Sequence, residues 1–182
     1  MWDKKTHTIV NNESSEIIRI MNQSFNNISK NHDDYYPVNL RAEIDDINDV
    51  IYKNINNGVY KTGFSKTQAS YDDAVQNLFS SLVMIEVKLE HQDYLVGNIL
   101  TEADIRFVPT LLRFDSVYYV HFKCSLKKIS EFKNISRYLK NLYSNDAISS
   151  TTNFEHIKRH YYFSHEHINP HRIIPIGPEN LF

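Results

Sequence analysis

Tyr94-Leu95-Val96-Gly97-Asn98-Ile99-Leu100-Thr101-Glu102-Ala103-Asp104-Ile105 ends one helical pattern and begins another. The glycine-containing segment Tyr94 to Asn98 interrupts the apolar periodicity before it. Thr101 is then a suitable N-cap, and Asp104, three residues on, can return a hydrogen bond to it, a relative of the capping box. Leu100 and Ile105 stand at the positions of a hydrophobic staple. The helix so opened carries Ile105, Val108, Leu111 and Leu112, tolerates or bends at Pro109, and should run on towards His121. Its apolar content makes it the candidate central helix, and its capping marks Asp104 as a structural rather than a catalytic carboxylate.

Helical spacing dominates on both sides. Leu40, Ile44, Ile47, Ile51 and Ile55 recur at three- and four-residue intervals, which predicts one long helix stopped by Asn56-Asn57-Gly58. A second is predicted over Lys66 to Glu90, carrying Ala74, Val75, Leu78, Phe79, Leu82, Val83, Ile85 and Leu89, and the two are expected to pair. Shorter helices are predicted over Ile135 to Tyr143 and Asn153 to Ser164. A tail with Pro170, Pro175 and Pro178 follows; it cannot be regular helix and should wrap the surface. At the other end, Thr8-Ile9-Val10 is a short β-type run, and Glu13-Ser14-Ser15-Glu16 opens a helix with Ile17, Ile18, Ile20 and Met21. The polar stretch Asn26 to Pro37 reads as a linker, so the domain boundary is placed there.

The 182 residues are 41% apolar and 13% aromatic, enough to bury a core, and so few glycines and prolines (four and five) leave long uninterrupted helices. Twenty Lys and Arg against 22 Asp and Glu give a formal charge of -2, with no basic surplus to argue for nucleic acid or an anionic membrane. No apolar run approaches the roughly 20 residues of a membrane helix, and a cytoplasmic protein is expected. The single cysteine, Cys124, excludes an intrachain disulfide and a multi-cysteine zinc site.

Tyr94-Leu95-Val96-Gly97 followed by Leu100-Thr101-Glu102-Ala103-Asp104-Ile105 resembles the capped central helix of glutathione transferase C-terminal domains. Further segments narrow the resemblance: Asn11-Asn12-Glu13-Ser14-Ser15-Glu16-Ile17, Asn57-Gly58-Val59-Tyr60-Lys61-Thr62-Gly63-Phe64, Arg113-Phe114-Asp115-Ser116-Val117-Tyr118, His121-Phe122-Lys123-Cys124, and His160-Tyr161-Tyr162-Phe163-Ser164-His165 with Asn169-Pro170. Together they closely resemble the glutathionyl-hydroquinone reductases, the Xi-class transferases, through essentially the whole chain. The resemblance implies a mainly α fold: a transferase C-terminal-type helical bundle over residues 31–182, preceded over residues 1–30 by the last strand and helix of a thioredoxin-like domain. The rest of that domain, about 100 residues with a cysteine-proline motif and a cis-proline, is not matched. A lone strand and a one-sided helix leave unpaired groups, so residues 1–30 are expected to be poorly ordered or to pair with another chain.

The implied chemistry is glutathione-dependent reduction of glutathionyl-hydroquinones, in which a cysteine thiolate attacks the thioether sulfur and a second glutathione frees the enzyme. Proton donors must then stand near the quinol oxygen, and tyrosine hydroxyls in a partly apolar cleft suit that task. Tyr60 and Tyr161, among 12 tyrosines, match the family pair. Glu13 and Ser14 open a helix, whose free N–H groups and dipole favour an anion, and they match the position that holds the γ-glutamyl group of glutathione; an ordinary cap is the other role of the same residues. Glutathione enters as co-substrate. The catalytic cysteine is absent from the chain, which is therefore predicted to be inactive alone. A homodimer and a separate thioredoxin-like chain are the implied partners.

Cys124 lies late in the central-helix region with Lys123 as its one adjacent cation and no turn to present it, so it reads as a buried packing residue. His156 and His160, four apart, with His165, His167 and His171 following, raise a metal site. No glutamate completes an HExxH pattern and Lys158 and Arg159 intervene, so no metal is assigned; His165 could instead orient Tyr161 or the substrate. The alternative to a reductase half is a non-enzymatic helical module for glutathionyl or aromatic ligands or for a protein partner, or the remnant of a broken gene.

Overall fold

The computed structural model describes residues 1–178. Its elements are the strands β1 (Trp2–Asp3) and β2 (Thr8–Ile9) and the helices α1 (Ser14–Gln23), α2 (Arg41–Val50), α3 (Gly58–Gly63), α4 (Gln68–Lys88), α5 (Glu102–Arg113), α6 (Tyr119–His121), α7 (Lys133–Tyr143), α8 (Asp146–Ser149) and α9 (Phe154–Ser164). Two π-helical turns extend this list, Ile51–Asn56 after α2 and Phe114–Tyr118 between α5 and α6.

The cap at Thr101 forms as its sequence predicts. The Thr101 N–H and hydroxyl donate to Asp104 Oδ2 at 2.8 and 3.1 Å, and the Asp104 carboxylate also accepts from the Leu95 N–H at 2.9 Å and the Tyr138 hydroxyl at 2.8 Å. Asp104 is wholly buried, so this carboxylate ties the incoming loop and α7 to the start of α5. Burial pushes its pKa above the ordinary carboxylate value, against the pull of those donors. From there α5, the second π turn and α6 run as one path to His121. Ala103, Phe107, Val108, Leu111, Leu112, Phe114, Val117 and Tyr118 on this path are buried, which makes it the centre of the core. Pro109 lies inside α5 without ending it.

The first long helix does not stop at Asn56-Asn57-Gly58. α2 widens into the π turn, and Gly58 opens α3. Gly58 is buried where α3 meets α4, in ordinary contact range of Leu78. It is the π turn and α3 that lie along α4, while α2 packs on α5. The pairing expected of two long helices is thus divided between two neighbours.

Residues 1–30 also depart from expectation. Thr8–Ile9 is not a lone strand: it pairs antiparallel with Trp2–Asp3, in the register Trp2 with Ile9 and Asp3 with Thr8. The Asp3 carboxylate closes the connection by accepting the Lys5 and Thr6 N–H groups at 2.7 and 3.2 Å. α1 is anchored to the bundle rather than undocked. Arg19 donates through Nε and Nη2 to Glu102 at 2.9 and 3.1 Å and to Asp45 at 2.5 Å, and its guanidinium lies 4.0 Å over the Tyr36 ring. Glu102 also receives Asn48 and Arg106, so a nearly buried carboxylate is surrounded by donors. The end of the linker is fixed to the same place, with Tyr36 buried and the Tyr35 carbonyl accepting the Glu102 N–H at 2.7 Å.

α7 and α9 form where the periodicity predicts. The short α8, whose N-cap is Asn145, escaped it because four residues carry no period. Residues 165–178 contain no helix and run along α9, held by Asn169 Nδ2 to the Tyr162 carbonyl at 2.8 Å and by Lys158 Nζ to the Ile176 carbonyl at 2.6 Å. Among the described residues no helix is long and apolar enough to cross a membrane.

Candidate active site

Three tyrosines from three segments meet at their hydroxyls. α3 supplies Tyr60, the π turn of the central path supplies Tyr118, and α9 supplies Tyr161. The Tyr161 hydroxyl lies 2.6 Å from that of Tyr60 and 2.8 Å from that of Tyr118. Phe122 packs under all three, stacked on Tyr118 at 5.4 Å, tilted against Tyr60 at 5.3 Å and edge-on to Tyr161 at 5.9 Å. Gly63 makes that packing possible, since a Cβ there would stand 2.4 Å from the Phe122 ring.

Burial constrains the protons of this cluster. Tyr118 is 2% exposed and Tyr161 6%, and a buried O–H needs an acceptor. Either oxygen can donate in each contact, and one arrangement that satisfies both buried O–H groups has Tyr118 donate to Tyr161 and Tyr161 to Tyr60. It leaves the O–H of Tyr60, which is half-buried, free to donate outward. Burial and the neighbouring tyrosines raise the pKa of Tyr118 well above that of a free phenol, and burial raises that of Tyr161 to about 12. Both remain protonated at neutral pH. Beside Tyr60 opens a groove of about 780 Å³ lined by Lys61, Phe64, Lys66, Asp73 and Asn77.

The sequence had singled out Tyr60 and Tyr161, and the fold brings their hydroxyls into contact. It missed Tyr118, although Tyr118 and Phe122 stand four apart on one helix face, because a helix face does not announce what packs on it. Glu13 and Ser14 lie at the other end of the described chain. Glu13 is the N-cap of α1, where its Oε1 accepts the Ser15 N–H at 3.4 Å, and Ser14 is exposed. No hydrogen bond among the described residues links them to the tyrosines.

Cys124 is fully buried, with its Sγ directed at the Val59 and Phe122 carbonyls at 3.9 and 3.8 Å, and burial pushes its thiol up to about 12. Such a thiol is not a nucleophile at neutral pH. His156 and His160 are exposed, whereas His165 hydrogen-bonds His121. Among the described residues no three His, Cys, Asp or Glu side chains converge on a metal position. A second cleft, of about 330 Å³, lies between α1, the linker and α5, lined by Ile18, Met21, Phe25, Tyr35 and Ile105. Its buried carboxylate, Glu102, is consumed by its donors.

Residues 68–141 match the family described as glutathione S-transferase, C-terminal domain. The fold is that of solved transferases: the glutathione-S-transferase Xi from Phanerochaete chrysosporium superposes with a TM-score of 0.97 at 55% identity, over 99% of this chain and 62% of that one. The chain carries a glutathione transferase C-terminal helical domain. It is similar to the glutathionyl-hydroquinone reductase YqjG of Escherichia coli, 51% identical over 98% of this chain and 54% of that protein. A second relative is the glutathionyl-hydroquinone reductase PcpF of Sphingobium chlorophenolicum, 48% identical over 98% of this chain and 57% of that protein. The glutathione-bound structure of YqjG superposes with a TM-score of 0.96 at 50% identity, over 99% of this chain and 59% of that one. The chain therefore spans a little over half the length of these relatives.

Proposed function

We propose that the chain is the helical, quinol-binding part of a glutathione-dependent reductase of glutathionyl-hydroquinones. The observation that carries this is the tyrosine cluster, in which two buried hydroxyls adjoin a third that faces a groove. In the reaction a thiolate attacks the glutathionyl sulfur and the carbon–sulfur bond breaks. Its electron pair passes to the quinol ring, and the ring carbon takes a proton. The products are hydroquinone and a mixed disulfide, which a second glutathione converts to glutathione disulfide. Charge that develops on the quinol oxygen is met by the Tyr60 hydroxyl. A phenol that already accepts a hydrogen bond from Tyr161 gives up its proton more readily, because its phenolate is stabilised by that bond.

In this reading the thiolate comes from outside residues 1–182, since Cys124 is buried. Glu13 and Ser14 at the start of α1 bind the γ-glutamyl end of glutathione, and Arg19 holds α1 to the bundle that carries the tyrosines. The similarity to reductases along 98% of the chain favours this over a module that only binds. The test is calorimetric binding of S-(2,5-dihydroxyphenyl)glutathione to the 182-residue chain and to its Tyr60→Phe and Tyr161→Phe forms, followed by turnover once a thioredoxin-like domain of a reductase is joined to it. Weaker binding and loss of turnover in both variants is the expected result. Equal binding by all three forms would overturn the assignment.

A further inference from the structure

Two side-chain pairs, one helical turn apart, join the central path to α9, beside a longer bond from the Tyr162 hydroxyl to the Ser116 carbonyl at 3.4 Å. Tyr118 and His121 are three residues apart on the first, and Tyr161 and His165 are four apart at the end of the second, so each pair shares a helix face. The upper rung is Tyr118 to Tyr161 at 2.8 Å. The lower rung is His121 Nε2 to His165 Nδ1 at 3.1 Å, with the two rings 5.3 Å apart and 17° from parallel.

His121 is 4% exposed, edge-on to Tyr162 at 4.6 Å and stacked against Phe122 at 5.3 Å. It stands behind the tyrosines, where no quinol reaches it. His165 packs edge-on to Tyr161 at 5.7 Å and to Phe64 at 5.5 Å, so it touches both the α9 and the α3 sides of the cluster. α9 ends at His165, and the residues beyond it form no helix. The lower rung thus ties the residue that ends α9 to the core, one position beyond the helix that Tyr161 and Tyr162 bury.

We propose that His121 is a positioning residue: by hydrogen-bonding His165 it pins the end of α9, and so holds the Tyr161 hydroxyl between those of Tyr118 and Tyr60. The proposal rests on the tyrosines being the quinol site only for its consequence in catalysis; the positioning itself is a property of the fold.

An imidazole pair can share one hydrogen bond only while one of the two facing nitrogens is bare. Adding a proton to that nitrogen sets two N–H groups against each other and opens the rung. The groups around the pair do not soften this. Lys123 follows α6, His167 lies in the tail at 6.0 Å from His165, and His160 stands on α9 with Tyr161 and Tyr162. The neighbouring carboxylate, Glu166, is paired with Arg172. Burial and the cationic neighbours hold both imidazoles below their ordinary value, His121 to about 4. The rung is closed at neutral pH and opens on acidification.

The experiment uses the full chain labelled with ¹³C at tyrosine Cζ, the three cluster signals being assigned with the Tyr→Phe variants. Between pH 7.5 and 4, while far-UV circular dichroism stays native, the Tyr161 signal is expected to move together with the His121 ring signals. In His121→Phe at pH 7.5 it is expected to sit at the acid position. His165→Phe should give the same shift, and it serves if His121→Phe does not fold. A Tyr161 signal unchanged in a folded His121→Phe or His165→Phe chain, or indifferent to pH in the wild type, overturns the proposal. These readouts need no ligand, so failure of the quinol-site assignment would appear separately, as probe binding that Tyr161→Phe leaves intact.

Discussion

The hydroxyls of Tyr60 and Tyr161, 101 positions apart in the chain, meet at 2.6 Å. α3 and α9 reach each other there across the central path, which contributes Tyr118 to the same cluster. The contact places the two buried members where both can spend their protons inside the cluster.

Tyr161→Phe removes the middle of the chain. The buried Tyr118 O–H loses its acceptor, which costs about 1–3 kcal/mol, and Tyr60 loses its donor. The expected outcome is a lowered denaturation midpoint together with a rate lower by about 10²-fold in the joined enzyme. Tyr60→Phe should give a similar rate loss with less destabilisation, because Tyr60 is half-buried. Denaturant titration and turnover on both variants check the pattern.

Asp104→Ala strips the acceptor from the Leu95 and Thr101 N–H groups and from the Tyr138 hydroxyl, all in the core. A loss of about 3–5 kcal/mol follows, since several buried donors are left unpaired at once. Asp104→Asn keeps part of the acceptor capacity and should fall between. Urea unfolding would show both, and an alanine variant as stable as wild type would remove this carboxylate from the account of the fold.

His121 makes stability depend on pH. Its folded pKa of about 4 lies below the ordinary 6.5, so between those values the unfolded chain binds the extra proton. Its contribution is complete above pH 6.5, declines as pH falls to 4, and changes no further below that. The shift corresponds to about 3 kcal/mol. Denaturant midpoints of wild type and His121→Phe across this window should converge towards acid, and parallel curves would contradict the prediction.

Gly63→Ala drives a methyl into the Phe122 ring, which cannot yield because it is stacked on Tyr118. A cost of about 1–3 kcal/mol is expected, along with a changed near-ultraviolet tyrosine signal as the floor of the cluster shifts. Calorimetry with near-ultraviolet circular dichroism is the check.

Cys124 should resist thiol reagents in the folded chain at pH 8 and react at once in denaturant, given its burial and a pKa raised to about 12. Rapid labelling of the native chain would mean that the core around Val59 and Phe122 opens.

The local signals were strong where one segment carries the whole cause. The Thr101–Asp104 cap, the period of α4 and the amphipathic α7 each follow from residues within a few positions of one another, and a cap or an apolar stripe acts at that range. Gly58 shows the limit. Glycine after Asn56-Asn57 reads as a helix stop, yet Gly58 opens α3, which packs on α4 beside Leu78, twenty positions on. The anchoring of α1 was invisible for the same reason, since Arg19 finds its carboxylate 83 positions away.

By itself, then, the sequence determined the helical class, the central capped helix and the burial of Cys124, and, through motifs that resemble a family's, it pointed to Tyr60 and Tyr161. Tertiary structure alone decided that Tyr118 joins that pair, that His121 braces it through His165, and that residues 1–30 fold back as a hairpin and a bolted helix. Period and capping are short-range effects written in neighbouring residues, whereas hydrogen bonds between buried side chains depend on which helix faces meet, and that is settled only when the core packs.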